Sequence, residues 1–306
     1  MPEQVDVRDP IRITVFTPAY NRGYIIDKLY RSLQRQSFRN FEWVVVDDGS
    51  TDDTEQRMAE YMSEEKDFSV RYVKTTNGGK HRAINRGVKE ARGELFFIVD
   101  SDDYITDDAL EQIHGVEKSI PEEEKHHFAG VCGMKAYTMD RYIGTTFVGE
   151  YLDVTTLERE ANHITGDKAE VFYTEILRRY PFPEFEGEKF LTECVVWDKI
   201  AADGYKLRFY NQIAVICNYL EDGLTRNSEN LILKNPRGQG LYLSQSAKFG
   251  KLSGMEKWEA YLLYFYAFHH KLSFVKISKN LQINPVALWC GLVPIRILGK
   301  LRKNKE

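Results

Sequence analysis

The chain contains 306 residues, enough for about two domains on the usual size expectation. Hydrophobic residues make up 42% of it and charged residues 29%, proportions that exclude a disordered protein and are typical of a globular one. The formal net charge is −4, so the chain does not bind nucleic acid through overall positive charge.

The four cysteines are widely spaced and lie in apolar contexts at positions 132, 194, 217 and 290. This spacing predicts buried free thiols in a reducing compartment, not a disulfide framework or a zinc site. Residues 1–10 are polar and acidic and do not resemble a signal peptide. We therefore expect a cytoplasmic protein.

The first hundred residues alternate between strand and helix patterns. Strands are predicted over 11–17, 41–46, 70–73 and 95–99, and helices over 24–35, 53–64 and 80–91. Such repeated alternation is typical of a parallel, doubly wound sheet. The sequence therefore indicates an α/β fold.

The pattern changes after residue 103. Helices are predicted over 107–118, 169–179 and 191–202, antiparallel strands within 128–153, and strands over 206–210 and 213–219. The polar, glycine-containing stretch 226–254 is predicted to be a connection, followed by a helix over 256–271 and an amphiphilic tail from residue 285. A smaller mixed region and a helical C-terminal extension thus follow the parallel sheet.

An apolar segment of strand length ends abruptly in three carboxylates. The run 96–99 is followed by Asp100, Ser101, Asp102 and Asp103. Clustered carboxylates repel one another unless a cation lies among them, and Mg²⁺ is usually bound by one or two carboxylates together with substrate phosphates. One aspartate would be enough to cap the helix predicted next. The cluster therefore predicts a metal–phosphate site, with helix capping as the alternative.

The same pattern recurs at the second predicted strand. The run 41–46 leads into Asp47 and Asp48, followed by a glycine-containing turn with further acids. Ligands of parallel sheets bind beyond the carboxyl ends of the strands, so two strands that end in acids line one crevice. Some of these acids would bind a metal and others would accept hydrogen bonds. A nucleoside diphosphate sugar offers suitable partners: a base, a ribose, a diphosphate and sugar hydroxyls.

Two glycine-rich phosphate-binding loops are missing from the sequence. There is no G-x-x-x-x-G-K-[ST] run, which argues against a P-loop ATPase. The first strand is followed by Pro18-Ala19-Tyr20-Asn21-Arg22 instead of G-x-G-x-x-G, which argues against a dinucleotide-binding redox enzyme. A turn that presents side chains favours phosphates held mainly by a metal. A plain strand-ending turn is the alternative.

Four blocks of sequence, in this order, resemble the inverting glycosyltransferases of family 2. The blocks are residues 17–21, 45–52, 77–87 and 100–103, and the resemblance extends over about 11–225. It implies an α/β chain with the GT-A fold, in which a doubly wound, mainly parallel sheet is joined to a smaller mixed acceptor region. The parts implied are a nucleotide-sugar-binding subdomain (1–105), an acceptor-binding and catalytic subdomain (106–225) and a helical C-terminal extension (226–306).

The resemblance also implies which residues bind the donor. The nucleotide-binding residues are Pro18, Tyr20, Asn21, Arg22, Asp47, Asp48, Gly79, Lys80, Arg82, Asn85, Asp100 and Ser101. Asp47 or Asp48 is placed to accept a hydrogen bond from a base N–H, and Lys80, His81 and Arg82 add positive charge near the diphosphate. A solvated helix start is the alternative for those three basic residues.

The D-x-D signature of the family falls on Asp100 and Asp102. Asp102 is implied as the ligand of a divalent cation, Mg²⁺ or Mn²⁺, with Asp100 as a second candidate. The cation would neutralise charge on the departing nucleoside diphosphate. Alternatives for the acids after the second strand, Ser50 to Asp52 included, are a turn and a helix cap.

An inverting transfer needs a carboxylate that deprotonates the acceptor hydroxyl. Family members often have Glu-Asp at the start of a helix that continues to a Trp. Here Thr192-Glu193 stands in that place, ahead of Trp197, so the resemblance implies Glu193 as the base. Glu188 is its rival, and Glu186 lies in the same loop. A first-turn helix acid is the alternative for Glu193.

The tail combines an apolar run with a basic cluster. Residues 285–295 include Trp289 and are followed by Arg296, Lys300, Arg302, Lys303 and Lys305. The run is shorter than the roughly 20 residues that span a bilayer. It suits a helix lying on an anionic membrane surface, which would place the protein at the inner face of the membrane. The alternatives are a helix packed on the catalytic domain or in a homodimer interface.

The expected function is metal-dependent, inverting transfer of a sugar from a nucleoside diphosphate sugar, most simply a UDP-sugar. The acceptor would be a hydroxyl of a glycan or lipid-linked molecule in surface polysaccharide synthesis. A sugar-phosphate nucleotidyltransferase is an alternative, but it would show a Gly-rich, basic loop in place of residues 18–23. A non-catalytic nucleotide-sugar-binding module is another, which would keep Asp48 and Asp102 and need no base.

Overall fold

The computed structural model of the chain describes residues 10–218 and 228–303, and its side-chain contacts concern residues 10–218 and 230–294. The described strands form one mixed sheet with helices on both of its faces. A group of C-terminal helices follows the sheet. The α/β architecture predicted from the sequence is confirmed.

The first half of the sheet has the predicted strand–helix alternation. Its elements are β1 Ile13–Ala19, α1 Asp27–Gln34, β2 Phe41–Asp47, α2 Thr54–Ser63, β3 Ser69–Lys74, α3 Lys80–Glu90 and β4 Leu95–Ile98. Strand β1 pairs in parallel with both β2 and β4, and β2 pairs in parallel with β3. The carboxyl ends of β2 and β4 therefore meet at one edge of the sheet.

The second half continues the same sheet with mixed pairing. Its elements are β5 Tyr104–Ile105, α4 Ala109–Lys118, β6 Phe128–Thr138, β7 Arg141–Tyr142, β8 Tyr151–Val154, β9 Lys168–Tyr173, α5 Thr174–Arg179, α6 Cys194–Ala202 and β10 Lys206–Ile216. The strand order is β3-β2-β1-β4-β9-β6-β10-β5. Strand β9 is antiparallel to both β4 and β6, whereas β6 and β10 are parallel.

Two predictions for this half were wrong. The helix predicted over 169–179 is strand β9 followed by the short helix α5. Ala169, Val171 and Phe172 are buried in the middle of the sheet. The prediction failed because a short apolar run can form either a buried strand or a buried helix, and its sequence does not distinguish the two. The two strands predicted over 206–219 form a single strand, β10. Its pairing with β6 shifts register between Phe209 and Ile213. Residue 219 lies outside the described residues.

The C-terminal extension is helical. Its elements are α7 Ser228–Lys234, α8 Pro236–Lys248, α9 Gly254–Phe268, α10 Phe274–Asn280 and α11 Pro285–Lys303. The prediction of a connection over 226–254 was wrong from residue 228 onward, because helices α7 and α8 lie there. Two of the glycines in this stretch allow close contacts between helix α8 and its neighbours. A Cβ at Gly238 would lie 2.9 Å from the Phe190 carbonyl oxygen, and one at Gly240 would lie 2.8 Å from Asn280 Cβ.

The C-terminal helices have a hydrophobic core of their own, which includes Tyr261, Tyr264, Phe268 and Ile277. None of the helices within the described ranges combines the length and hydropathy needed to cross a bilayer. All four cysteines are free, as predicted, but only Cys132 is buried: Cys194 and Cys217 are partly exposed and Cys290 is exposed.

The two faces of the sheet bury different sides of each central strand. In β4, Phe97 joins the core formed with α1, α2 and α4, whereas Phe96 joins the core formed with α3, α5 and α6. Side chains of a strand alternate between the faces, so a continuous apolar run is what a strand covered on both sides requires. This double burial fixes where β4 ends and where the acids that follow it emerge.

Candidate active site

The acids after β4 lie in a turn at the carboxyl edge of the sheet. The Asp103 N–H donates to the Asp100 carbonyl oxygen at 3.1 Å, and the Val99 N–H donates to the Phe16 carbonyl oxygen at 2.9 Å. Asp102 and Asp100 are partly accessible, whereas Ser101 and Asp103 are buried. The D-x-D pair therefore faces the crevice and Asp103 faces the protein.

Lys80 is the first residue of α3, and its ammonium joins acids from two different segments. Nζ lies 2.7 Å from Asp100 Oδ1 and 2.9 Å from Glu193 Oε1. Burial works to lower the pKa of Lys80, but attraction to the two carboxylates outweighs it and raises this pKa above its ordinary value. The pKa of Asp100 lies below its ordinary value. Burial alone would raise this pKa, but the positive charges of Lys80, Lys135 and Arg22 lower it by more.

Asp102 has the opposite electrostatic environment. Burial raises its pKa, and the negative charge of the neighbouring Asp100 adds to the rise. Within residues 10–218 and 230–294, no side chain forms an ion pair or hydrogen bond with its carboxylate. A cation beside Asp102 would relieve this destabilisation of its charged form.

A divalent cation fits this donor set. Mg²⁺ is commonly bound through one or two carboxylates, with substrate phosphates and water supplying the other oxygen ligands. Asp102 offers one accessible carboxylate, and Asp100 lies two residues away but is already paired with Lys80. In the described part of the chain, no cluster of three or more His, Cys, Asp or Glu side chains is placed to hold a metal by itself.

Lys135 and the environment of Asp103 were not predicted from the sequence. The Asn218 N–H donates to Asp103 Oδ1 at 3.1 Å, the Cys217 thiol donates to Oδ2 at 3.3 Å, and Lys135 Nζ lies 3.8 Å from Oδ2. Burial raises the pKa of Asp103 to about 6 despite the attraction of Lys135. A single lysine in the otherwise apolar strand β6 was the one signal that could have indicated this cation.

Asp48 fastens the turn that opens α3. Its Oδ1 accepts the Gly78 N–H at 2.6 Å and its Oδ2 accepts the Gly79 N–H at 2.7 Å, while Asn77 donates to its carbonyl oxygen at 2.9 Å. Burial raises the pKa of Asp48. Both oxygens of this carboxylate are therefore engaged in holding the start of α3 against the end of β2. The neighbouring Asp47 is fully buried and accepts bonds from the Ser50 N–H and the Tyr72 hydroxyl.

The turn after β1 is tied to the turn after β2. Asn21 adopts a φ of 53°, its N–H donates to Ser50 Oγ at 2.8 Å, and its side-chain oxygen accepts the Thr51 N–H at 2.8 Å. The Arg22 N–H donates to Thr54 Oγ1 at 2.9 Å. The two predicted nucleotide-binding turns therefore form one continuous surface, on which the Tyr20 side chain is exposed. Pro18, also predicted to bind nucleotide, lies opposite Val46 of β2, one residue before the end of β1.

Arg82 and Asn85 are directed to the loop before α6. Arg82 donates to the carbonyl oxygens of Glu188 and Phe185, both at 2.8 Å. Asn85 exchanges two hydrogen bonds with the backbone of Phe182. Contact of either side chain with a nucleotide, as predicted, would require these bonds to break.

His81 does not supply the positive charge expected of it. The ring is 2% exposed, and its Nδ1 is buried without a partner within the described residues. Burial lowers the pKa of His81 to about 4, so the ring is neutral at pH 7. The charge that α3 contributes beside Asp100 is that of Lys80.

The two candidate bases lie in different surroundings. Glu188 is buried, and its two oxygens accept the Arg237 and Gly238 N–H groups at 2.8 and 2.9 Å, which caps the N-terminus of α8. The Glu193 side chain precedes α6, is 34% exposed and reaches Lys80 in the crevice. Glu186 is exposed in the loop. Of these three, the structure places only Glu193 in contact with a residue that also contacts Asp100.

The fold resembles that of known sugar-transferring enzymes. Staphylococcus aureus TarS 1–349 in complex with UDP aligns with a TM-score of 0.56 and 22% identity, over 87% of this chain and 74% of that one. Mannosyltransferase PcManGT from Pyrobaculum calidifontis in complex with GDP-Man and Mn²⁺ aligns with a TM-score of 0.52 and 18% identity, over 97% and 81% of the two chains. At these identities the likeness establishes the fold, which is GT-A.

Sequence comparison finds similarity to glycosyltransferases. Residues 14–116 match the model of Glycosyl transferase family 2. The poly(ribitol-phosphate) beta-N-acetylglucosaminyltransferase TarS of Staphylococcus aureus (strain Mu50) is 39% identical over 102 residues, which cover 33% of this chain and 18% of TarS. Glycosyltransferase GlyA of Streptococcus pneumoniae serotype 4 is 29% identical over 256 residues, which cover 81% of this chain and 32% of GlyA.

The chain thus spans only part of the length of these curated relatives. The chain has the GT-A fold. The match to glycosyltransferase family 2 concerns residues 14–116.

Gly79→Ala should disturb the junction between α3 and the segment before α6. Gly79 has a φ of +98°, and an added Cβ would lie 1.8 Å from the Lys189 carbonyl oxygen. Gly187→Ala is a matched control, since Gly187 has a φ of +79° and its added Cβ would meet no atom within 4 Å. A positive φ is unfavourable for a residue with a Cβ in both variants, and at Gly79, where ψ is 158°, the backbone conformation is essentially restricted to glycine.

We therefore expect Gly79→Ala to lower the free energy of unfolding more than Gly187→Ala does, and to weaken UDP binding as well. Denaturant unfolding and calorimetry measure the two effects. Equal stability and equal UDP affinity in both variants would show that the contact with Lys189 is unimportant.

Proposed function

We propose that the chain transfers a sugar from a UDP-sugar to a hydroxyl of a glycan or lipid-linked acceptor in surface polysaccharide synthesis, with inversion at the anomeric carbon. The observation that carries this proposal is the contact of Lys80 with both Asp100 and Glu193, since it joins the D-x-D turn and an accessible carboxylate in one crevice. Solved structures of the similar TarS contain UDP and UDP-GlcNAc, which supports a UDP-sugar as the donor.

Glu193 is the proposed base. An inverting transfer needs one carboxylate that accepts the proton of the acceptor hydroxyl as its oxygen attacks the sugar. Glu193 is accessible, whereas the rival Glu188 has both oxygens occupied at the start of α8. We therefore assign Glu188 to support of the loop and Glu193 to proton transfer.

Asp102 is the proposed ligand of Mg²⁺ or Mn²⁺, with Asp100 as a second candidate. When bound, the cation would neutralise the negative charge that develops on the departing nucleoside diphosphate. The chain contributes positive charge of its own through Lys80, which is paired with Asp100, and through Arg22, which helps to hold the pKa of Asp100 low. Ser101 lies between the two acids and is assigned to the nucleotide.

The base and ribose of the donor are proposed to lie on the surface formed by the turns after β1 and β2. Tyr20 is 47% exposed there and offers an aromatic face. Asp47 and Asp48 hold these turns in place through the bonds described above. Arg82 and Asn85 act on the donor through the loop that they hold.

Glu193→Gln tests the proposed reaction. The amide keeps the size of the side chain but cannot accept a proton, so kcat should fall by roughly 10²–10⁴-fold while UDP-sugar affinity changes little. UDP release from a panel of UDP-sugars with Mg²⁺ or Mn²⁺ and glycan acceptors measures kcat, and calorimetry measures affinity. Wild-type protein that binds UDP-sugars but releases no UDP would instead be a nucleotide-sugar-binding module.

Glu188→Gln is the matched variant for that experiment. It should weaken the cap of α8 and lower the free energy of unfolding by about 1 kcal/mol, with kcat close to that of the wild type. A large loss of kcat in Glu188→Gln with little loss in Glu193→Gln would identify Glu188 as the base.

Asp102→Asn should abolish metal-stimulated transfer, because a neutral amide is a poorer ligand for a hard cation than a carboxylate. A calorimetric titration of Mn²⁺ into the Asp102→Asn variant in the presence of UDP should show weaker cation binding than the same titration of the wild type. Undiminished transfer and Mn²⁺ binding in this variant would remove the metal site from Asp102.

We also propose that α11 brings the protein to an anionic membrane surface. Val286 and Trp289 on this helix are 69% and 60% exposed, whereas Leu288 and Leu292 are buried among the C-terminal helices. The first part of α11 thus packs one side inward and exposes an apolar side. The basic residues of the tail lie beyond the side chains that the structure describes.

Trp289→Ser should therefore reduce sedimentation of the protein with phosphatidylglycerol vesicles, because an interfacial tryptophan anchors such a helix. Leu263→Ser, which changes an equally exposed apolar residue of α9, is the control and should sediment like the wild type. Unchanged sedimentation of Trp289→Ser together with loss of a dimer on size-exclusion chromatography would favour a homodimer interface.

A further inference from the structure

We propose that Lys80 is a positioning residue that orients Glu193 and links it to the diphosphate of the donor. The inference rests on the proposed function, because it takes Glu193 as the base. Its basis is the pair of contacts made by one ammonium, at 2.7 Å to Asp100 Oδ1 and 2.9 Å to Glu193 Oε1. These contacts bring the start of α3, the turn after β4 and the start of α6 to a single atom.

The ammonium of a lysine carries three hydrogen-bond donors. In the described structure Nζ of Lys80 uses two of them on Asp100 and Glu193, which leaves the third for a ligand oxygen. A diphosphate bound beside the D-x-D acids would offer that oxygen. One ammonium would then fix the separation between the leaving group and the base.

Glu193 needs such an orienting partner. Its side chain is 34% exposed, so packing holds it only in part, and the contact to Lys80 uses Oε1. No group within the described residues bonds to Oε2, which leaves that oxygen for the acceptor hydroxyl. A base that is itself oriented by a third group is the general arrangement of activated nucleophiles.

The backbone that carries Lys80 is firmly held. The preceding Gly79 N–H donates to Asp48 Oδ2 at 2.7 Å, and Arg82 in the first turn of α3 donates to the carbonyl oxygens of Gly78 and Glu188, both at 2.8 Å. The Lys80 side chain itself is only 22% exposed. The ammonium therefore has a defined position from which to orient Glu193.

A double-mutant cycle separates an action through Glu193 from an action on the donor alone. Lys80→Met keeps the length of the side chain and removes its charge; it is made in the wild type and in Glu193→Gln. Lys89→Met, which changes an exposed lysine of the same helix, is the control. The measured quantities are kcat at saturating UDP-sugar and the affinities for UDP and UMP by calorimetry.

We expect Lys80→Met to lower kcat on the order of 10²-fold in the wild type, since misplacement of a catalytic group by about 1 Å has an effect of that size. In Glu193→Gln the same change should lower kcat by a clearly smaller factor, because residues that act as a unit are not additive, and the loss that remains measures the contact of Lys80 with the diphosphate. Lys80→Arg should recover part of kcat, since a guanidinium also contacts two carboxylates. Lys80→Met should weaken binding of UDP but not of UMP, which lacks the second phosphate.

Equal loss of kcat in the two backgrounds would overturn the inference and assign Lys80 to the donor alone. An unchanged preference for UDP over UMP in Lys80→Met would overturn the link to the diphosphate. The comparison of kcat needs a wild type that transfers sugar, whereas the comparison of UDP with UMP needs only a wild type that binds both. A wild type that transfers none would instead overturn the proposed function, and the assignment of Lys80 as a partner of the base with it.

Discussion

Compensation of like charges at one edge of the sheet is the constraint on which the crevice depends. Parallel strands β2 and β4 deliver their acids to the same edge, and carboxylates that leave water are costly unless they are paired. Lys80 provides the opposite charge for Asp100, and Lys135 does so in part for Asp103. Asp102 is the member of the cluster whose carboxylate has no ion pair or side-chain hydrogen bond within residues 10–218 and 230–294. Lysine side chains thus compensate the charges of Asp100 and Asp103 and leave Asp102 for an incoming cation.

A second set of contacts connects the nucleotide side of the crevice to the C-terminal helices. Asp48 holds Gly79, and Gly79 packs on the carbonyl oxygen of Lys189. The Lys189 N–H donates to Asn235 Oδ1 at 2.7 Å, immediately before α8, while Glu188 caps the same helix. The family model ends within α4, at residue 116, yet the loop that leads to Glu193 is supported from beyond it. The geometry of the candidate base is therefore a property of the whole described chain.

The parts of this structure that could be predicted from sequence are those governed by local patterns. The buried strands β1, β2 and β4 are mainly apolar and end at turn residues, and parallel geometry then places Asp48 and Asp100 at one edge. Strand β9 could not be recognised, because a short apolar run is compatible with strand or helix until its neighbours are known. The partners of Lys135 and Glu188 are distant in sequence, so only the fold brings a buried cation to Asp103 and a helix N-terminus to Glu188.

Because Glu188 caps α8, the loop that carries this residue depends on the helix when loops are transplanted between related proteins. Loops that border an acceptor site are natural units to transplant when a new specificity is sought. Here the loop ending at Glu188 and the first turn of α8 satisfy each other's polar groups, with the Arg237 and Gly238 N–H groups as donors. A transplanted loop that lacks this carboxylate would leave buried N–H groups unpaired. The unit of exchange in this chain is therefore the loop together with its helix.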